Sequence, residues 1–301
     1  MEHKTKGKKI NEESPSIGNV FIVGIDGSEG SHNAVELVST SFYRPGLDKI
    51  ILIHISDSNK EHEQGIKYHS KTIYNKYHEY IRELGIKEDD YEIIFEERKE
   101  NENVFEQVNE IALEKKGTIL ILGFRGLKGS KSRPDELSKS LSYLVHKPRI
   151  PVLVIKEKTA RQLRPYNEFK WLICLESAES KSFKALKSII NLVDSEKDFI
   201  YGLNVDEIGK EENAVRKAFV EVMKKNEIKN YDFDVVPRKD KTEAVNDLIL
   251  NWIKKKNEED EQGLDFIVLG YNPFKYAFSK DVPNTTVELL KTVACNVCFD
   301  H

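Results

Sequence analysis

"GTILILGFRGL", residues 117–127, joins a short apolar run to a loop of glycine and cations. Residues 264–274, "LDFIVLGYNPF", repeat this pattern in the second half of the chain. A short apolar run that stops at glycine predicts a buried strand followed by a loop. Two copies of such a strand predict two copies of one folding unit.

Helix-like stretches alternate with apolar runs on both sides of these two strands. In the first half the apolar runs lie at 20–25, 49–56, 91–98, 118–122 and 151–156. The second half begins the series again at 171–176 and 199–205. Strands that alternate with helices of ten or more residues predict a parallel sheet covered on both faces. The predicted fold class is therefore α/β, with two doubly wound parallel-sheet domains.

The predicted domain boundaries follow from the same repeat. Residues 18–156 and 170–301 are the two predicted domains, and the polar stretch 157–169 is the linker between them. Residues 1–17 carry lysines but no apolar core. They predict a disordered basic tail and argue against a secretory signal.

The composition limits the kind of protein and its partners. Of 301 residues, 39% are apolar and 33% charged, as in soluble globular proteins. The net charge of −4 argues against a nucleic-acid partner, and no apolar run reaches the ~20 residues of a membrane helix. Three cysteines, an odd and low number, indicate a reducing compartment. We therefore expect a cytoplasmic protein with no membrane or nucleic-acid partner.

Two polar loops follow predicted strands at positions that suit a nucleotide. "DGSEGS" at 26–31 follows the first strand, and "GFRGLKGSKS" at 123–132 follows the fourth. If the strand order is 3-2-1-4-5, these strands are neighbours and both loops face one crevice. Asp26 could then accept hydrogen bonds from ribose or adenine, glycine amides could approach phosphate, and Ser138 or Ser140 could add a hydroxyl. Helix capping by Asp26, and tight turns at the glycines, are the alternatives.

Several motifs, in their order and spacing, resemble the universal stress protein family in tandem. They are "VGIDGSEGSHNAV" at 23–35, "ILIHIS" at 51–56, "LGFRGLKGS" at 122–130 and "SLSYLVHKPRIPVLVI" at 140–155, with echoes in the second half. The resemblance implies a Rossmann-like fold of the HUP type with strand order 3-2-1-4-5. It also implies an internal pseudo-dimer in which the fifth strands pair, through Val152, Leu153 and Val154 with Val297 and Cys298.

The resemblance implies a nucleotide site in the first domain, because the family has members that bind ATP and members that do not. The implied ligand is ATP or AMP, with or without Mg²⁺. Ile55 matches the residue whose backbone meets adenine, and Asp26 matches the acid of the first loop. The full candidate set is Asp26, Gly27, Ser28, Ile55, Gly123, Arg125, Gly126, Gly129, Ser138 and Ser140.

Both halves depart from the pattern G-x2-G-x9-G-[ST] of the binding members. Gly123 and Gly126 match its first two positions, but Glu136 or Lys139 stands where the third glycine belongs. In the second half, Pro273 matches Gly126, and proline has no amide hydrogen and cannot take φ > 0. We therefore expect any binding to be confined to the first domain, with a degenerate second domain.

The remaining reactive side chains do not predict an enzyme or a metal site. His54 lies in an apolar run without a neighbouring nucleophile, so it reads as a core residue. Cys295 and Cys298 are three apart in a predicted strand, where such positions face opposite sides, so packing is favoured over metal binding. Two function classes remain. The first is a non-enzymatic nucleotide-binding stress-response or regulatory module, and the second is a scaffold protein that has lost the site and joins a larger assembly.

Overall fold

The computed structural model describes most of both predicted domains. The described residues are 18–57, 69–100, 102–124, 139–156, 158–177, 181–207, 212–239, 243–260, 262–270 and 285–300. The predicted basic tail at 1–17 lies outside the described residues, as does most of the loop that follows the fourth strand.

Strands and helices alternate through the first half as the apolar pattern predicts. In chain order the elements are β1 Val20–Gly24, α1 Glu29–Leu37, β2 Lys49–Ser56, α2 Ser70–Glu83, β3 Tyr91–Glu97, α3 Val104–Glu114, β4 Ile119–Gly123, α4 Lys139–His146 and β5 Val152–Ile155. A π-helical turn, Val38–Phe42, continues α1.

The second half repeats this series after a linker that contains two short 3₁₀ turns. Its elements are β6 Lys170–Leu175, α5 Lys181–Ile189, β7 Phe199–Glu207, α6 Glu212–Lys225, β8 Asn230–Arg238, α7 Val245–Glu259, β9 Phe266–Gly270, α8 Thr285–Thr292 and β10 Asn296–Asp300. The helices α2 and α6 match in length, with 14 residues each.

All ten strands form one sheet in the order β3-β2-β1-β4-β5-β10-β9-β6-β7-β8. Each half therefore has the order 3-2-1-4-5, which confirms the predicted fold class. The pairing inside each half is parallel, whereas β5 and β10 pair antiparallel where the halves meet. The facing residues at this junction are Val154 with Val297, Leu153 with Cys298, and Val152 with Phe299.

Apolar side chains fill both faces of the sheet. One buried cluster joins the sheet to α1, α2, α5 and α6, and the other joins it to α3, α4, α7 and α8. An aromatic group links the two halves on the first face, because Phe42 lies within 6.2 Å, between ring centroids, of Phe169, Trp171 and Phe266. Trp171 stacks on Phe266 with centroids 4.1 Å apart. Trp171 is fully buried in this group.

The linker crosses between the halves with both of its arginines turned inward. Arg161 pairs with the buried Asp198 in the second half, and its backbone N–H donates to Ser41 Oγ in the first half at 3.1 Å. Arg164 lies 2.5 Å from Asp265, another buried carboxylate. Leu163 and Tyr166, by contrast, face solvent.

Candidate functional site

The loop after β1 is a tight turn that starts α1. Gly27 has φ +78°, a conformation that glycine adopts without strain. Ser28 caps the helix, because its Oγ accepts a hydrogen bond from the N–H of Ser31 at 3.2 Å. This cap lets α1 begin at Glu29.

Asp26 orders this turn from within. Its Oδ1 accepts hydrogen bonds from the backbone N–H of Ser28 at 3.0 Å and from the hydroxyl of Ser28 at 2.5 Å. These bonds show the local capping role that the sequence left open beside a ligand role. A carboxylate has about four acceptor positions in all. The turn-forming role is therefore compatible with a ligand role.

A buried hydroxyl pair ties the same loop to α2. Ser31 Oγ accepts from the N–H of Asp26 at 3.4 Å and donates to the carbonyl oxygen of Ser28 at 3.0 Å. The same Oγ lies 3.1 Å from the hydroxyl of Tyr77, which is fully buried. Burial raises the pKa of Tyr77 to about 12, so the hydroxyl keeps its proton at neutral pH. Neither Ser31 nor Tyr77 is in the candidate set predicted from the sequence.

The end of β4 lies directly against the start of α1, and Gly123 makes that approach possible. A Cβ at Gly123 would lie 2.5 Å from the carbonyl carbon of Gly30 and 2.8 Å from the nitrogen of Ser31. No side chain tolerates such distances to backbone atoms. Strands β1 and β4 are adjacent and parallel, so the two candidate loops leave the same edge of the sheet.

The end of β2 completes this edge. His54 Nδ1 donates to the carbonyl oxygen of Ile25 at 2.8 Å, and its side chain is buried as predicted for a core histidine. Ile55 follows it and is half-buried against the second buried cluster, the one that joins the sheet to α3 and α4. Gly24, the last residue of β1, pairs with Ile53. Ile55 comes two residues later in β2 and therefore lies beside the loop that follows β1.

The structure thus brings together the described part of the candidate set. Asp26, Gly27, Ser28 and Gly123 meet at the carboxyl ends of β1 and β4, and Ile55 lies at the end of the neighbouring strand. Ser140 is the second residue of α4. The remaining candidates, Arg125, Gly126, Gly129 and Ser138, lie outside the described residues.

The register of the second half follows from the strand pairing. Lys170 pairs with Phe199 as Val20 pairs with Lys49, and counting along both strands matches Glu176 with Asp26. The N–H of Glu176 donates to Ser182 Oγ at 3.2 Å, which repeats the bond between Asp26 and Ser31.

Other positions at this edge differ in the second half. Asn204 matches His54, and its amide donates to the carbonyl oxygen of Leu175 at 2.8 Å. Asp300 lies beside Gly270 in β9, where the first half has Ile155 beside Gly123. Asp300 is 1% exposed and its carboxylate accepts from Ser188 Oγ at 2.7 Å. A buried carboxylate at this edge disfavours a bound phosphate, because like charges repel.

Metal and thiol chemistry find little support in the described part of the chain. Over those residues, no group of three His, Cys, Asp or Glu side chains is placed to hold a metal ion. All three cysteines are free thiols. Burial raises the pKa of Cys298 far above its usual range, so this thiol stays protonated and packs in the core as predicted.

Comparison with known proteins agrees with this architecture. The model of the universal stress protein family matches residues 19–156. A universal stress protein from Archaeoglobus fulgidus superposes with a TM-score of 0.67 at 17% identity, covering 94% of this chain and 98% of that one. A protein of unknown function from Pseudomonas aeruginosa gives 0.59 at 13% identity, covering 93% and 92%. The cytoplasmic domain of a prokaryotic cation chloride cotransporter gives 0.52 at 11% identity, covering 94% of each chain.

The structural likenesses, all at low identity, concern the fold alone. A search of the curated proteins finds no match. Within the described residues, none of the helices has the length and apolar character needed to cross a bilayer. The family match covers the half of the chain that contains the loops at 26–31 and 123–132. Residues 19–156 therefore form a domain of the universal stress protein family.

Proposed function

We propose that the first half binds one nucleotide, ATP or AMP, with or without Mg²⁺, and that the chain acts as a non-enzymatic stress-response or regulatory module. The observation that carries this proposal is the contact of Gly123 with Gly30 and Ser31. It holds the end of β4 against the start of α1, so both candidate loops begin at one edge of the sheet. Crevices at the carboxyl ends of parallel strands are where such sheets bind ligands.

The described residues fit a nucleotide in distinct ways. The amide groups at the start of α1, together with the helix dipole, favour an anion such as phosphate. The carboxylate of Asp26 suits the hydroxyl groups of a ribose, because ionised carboxylates accept strong hydrogen bonds. The backbone of Ile55, beside the first loop, suits the edge of an adenine ring.

The second half is proposed as a diverged copy of the first that completes an internal pseudo-dimer. Glu176 replaces Asp26 with a longer side chain, and Asp300 adds a buried negative charge beside Gly270. In the sequence, Pro273 removes an amide donor after β9. The first difference disfavours the ribose contact and the other two disfavour the phosphate contact, so the proposed stoichiometry is one nucleotide per chain.

Calorimetric titration with ATP and AMP tests the proposal. The expected result is one site per chain, lost in Asp26→Ala and kept in Glu176→Ala, which removes the matching carboxylate of the second half. Circular dichroism at the titration temperature should show both variants folded. Two equivalent sites per chain, equal affinity in Asp26→Ala, or no heat from the unaltered chain would each contradict it.

A second candidate function, a scaffold within a larger assembly, is favoured by the linker. Leu163 is 58% exposed and Tyr166 83% exposed, and Tyr166 has a left-handed backbone conformation with φ +60°. Tyrosine is enriched among the residues that contribute most to protein–protein binding. For this function we expect a purified partner to bind the unaltered chain more tightly than a Leu163→Ser/Tyr166→Ser variant. The three free thiols fit a cytoplasmic location for either function.

A further inference from the structure

Tyr77 carries a buried hydroxyl that the core of α2 does not need. The buried positions of α2 are Ile73, Tyr77 and Ile81, which pack on the sheet beside α1. A hydroxyl moved from water into an apolar core costs free energy unless it finds a partner. The partner here is Ser31 Oγ, 3.1 Å away, in the first turn of α1.

The second half supplies a natural comparison for this position. Its helix α6 has the same length as α2, and its buried residues Val215, Phe219 and Met223 have the same spacing. Phe219 therefore stands where Tyr77 stands in the first half. The fold accepts phenylalanine at this position, so the hydroxyl serves something that the second half lacks.

The hydroxyl of Tyr77 holds the residue that shapes the first loop. Ser31 Oγ contacts Tyr77, the N–H of Asp26 and the carbonyl oxygen of Ser28. One serine oxygen thus joins both ends of the turn to α2. Without the tyrosine, Ser31 would lose its fixed partner in the core and the turn would sample more conformations.

We propose that Tyr77 is a positioning residue for the nucleotide site of the first half, acting through Ser31 on the loop at Asp26. The inference rests on the proposed nucleotide binding, because it assigns a role within that site. A loop already held in its binding conformation loses less entropy when the ligand binds. Tyr77 raises affinity in this way, without touching the ligand.

The test compares Tyr77→Phe with Tyr80→Phe in the full chain. Tyr80 lies one turn further along α2 and packs its ring against His32, with centroids 5.0 Å apart. The loss of one net hydrogen bond, about 1 kcal/mol, corresponds to about fivefold weaker binding. We expect Tyr77→Phe to bind ATP about fivefold more weakly and Tyr80→Phe to bind as the unaltered chain does.

A double-mutant cycle shows whether Ser31 transmits the effect. Ser31→Ala combined with Tyr77→Phe should weaken ATP binding no further than Ser31→Ala alone, because both changes break one chain of contacts. Additive losses would overturn the role of Ser31. Unchanged affinity in Tyr77→Phe would overturn the positioning role itself, even if the variant melts at a lower temperature.

Amide hydrogen exchange separates this inference from the proposed function. Tyr77→Phe should speed exchange at the amides of residues 26–31 without ligand, while Tyr80→Phe should not. If the unaltered chain fails to bind ATP, nucleotide binding is wrong, and the exchange rates still decide whether Tyr77 orders the loop. Equal exchange in all three proteins would overturn the ordering of the loop by Tyr77.

Discussion

Replacing Arg161 by methionine should uncouple the linker from the buried carboxylate of Asp198. The Arg161 side chain is 13% exposed and Asp198 is fully buried. The guanidinium contacts both carboxylate oxygens, with Nη2 2.8 Å from Oδ2, and its carbon lies 4.4 Å from the ring centre of Phe169. Methionine keeps much of the volume but leaves the negative charge without its cation.

The expected loss in the free energy of unfolding depends on the hydrogen-bond donors that Asp198 keeps. Removing one partner of a buried ion pair costs about 3–5 kcal/mol. Asp198 keeps three donors, the backbone N–H groups of Phe169 at 2.9 Å and Asp194 at 3.0 Å and the indole N–H of Trp171 at 3.1 Å. We therefore expect the lower end, a loss of about 3 kcal/mol in the free energy of unfolding. For a chain of this length that lowers the melting temperature by about 5 °C.

The first half provides the matched control. Asp48 is the counterpart of Asp198, and Arg44 binds it from the same half with a side chain that is 39% exposed. Asp48 is buried too, but it keeps the backbone N–H groups of Asn19 and Arg44 as donors. Its cation is also more exposed to water than Arg161, so Arg44→Met should cost less, about 1–2 kcal/mol. Urea unfolding followed by tryptophan fluorescence measures both losses, since Trp171 contacts Asp198 directly. Equal losses in the two variants, or a loss below about 1 kcal/mol for Arg161→Met, would refute the reasoning.

Three further predictions concern the site, the pH dependence and the assembly. Gly123→Ala should lower the free energy of unfolding by about 1–3 kcal/mol through overpacking and abolish ATP binding. Gly24→Ala should lower it less, because the new Cβ meets only the flexible end of the Leu122 side chain. A larger loss in Gly24→Ala, measured by urea unfolding, or ATP binding retained in Gly123→Ala would contradict this. Burial raises the pKa of Asp265 to about 6. Folding therefore favours the protonated carboxyl group, and the stability gained from its protonation is lost as the pH rises through 6. Urea unfolding should therefore show the unaltered chain gaining about 1.4 kcal/mol over Asp265→Asn between pH 7.5 and pH 5, and a gain in the opposite direction would contradict the assignment. Sedimentation should find a monomer, because β5 and β10 pair within one chain. Leu153→Pro removes a backbone N–H from β5 and should weaken the pairing between the two halves. A homodimer joined through β5 would contradict this prediction.

Periodicity and local turn chemistry, both readable in the sequence, determined the strands, the helices and the repeat. A short apolar run such as 118–122, which ends at a glycine, predicts a strand that is buried on both faces of the sheet. The capping of α1 is equally local, since Asp26 and Ser28 bond to groups within a few residues. The sheet order came from a resemblance to a family rather than from any single motif.

Tertiary structure alone decided why particular residues are needed. Gly123 looked like a phosphate contact, but its close approach to Gly30 is a packing requirement created when β4 meets α1. Tyr77 is not in the candidate set predicted from the sequence, and only the packing of α2 against α1 brings its hydroxyl to Ser31. The sequence cannot show such contacts, because they join residues far apart in the chain whose meeting depends on how whole elements pack.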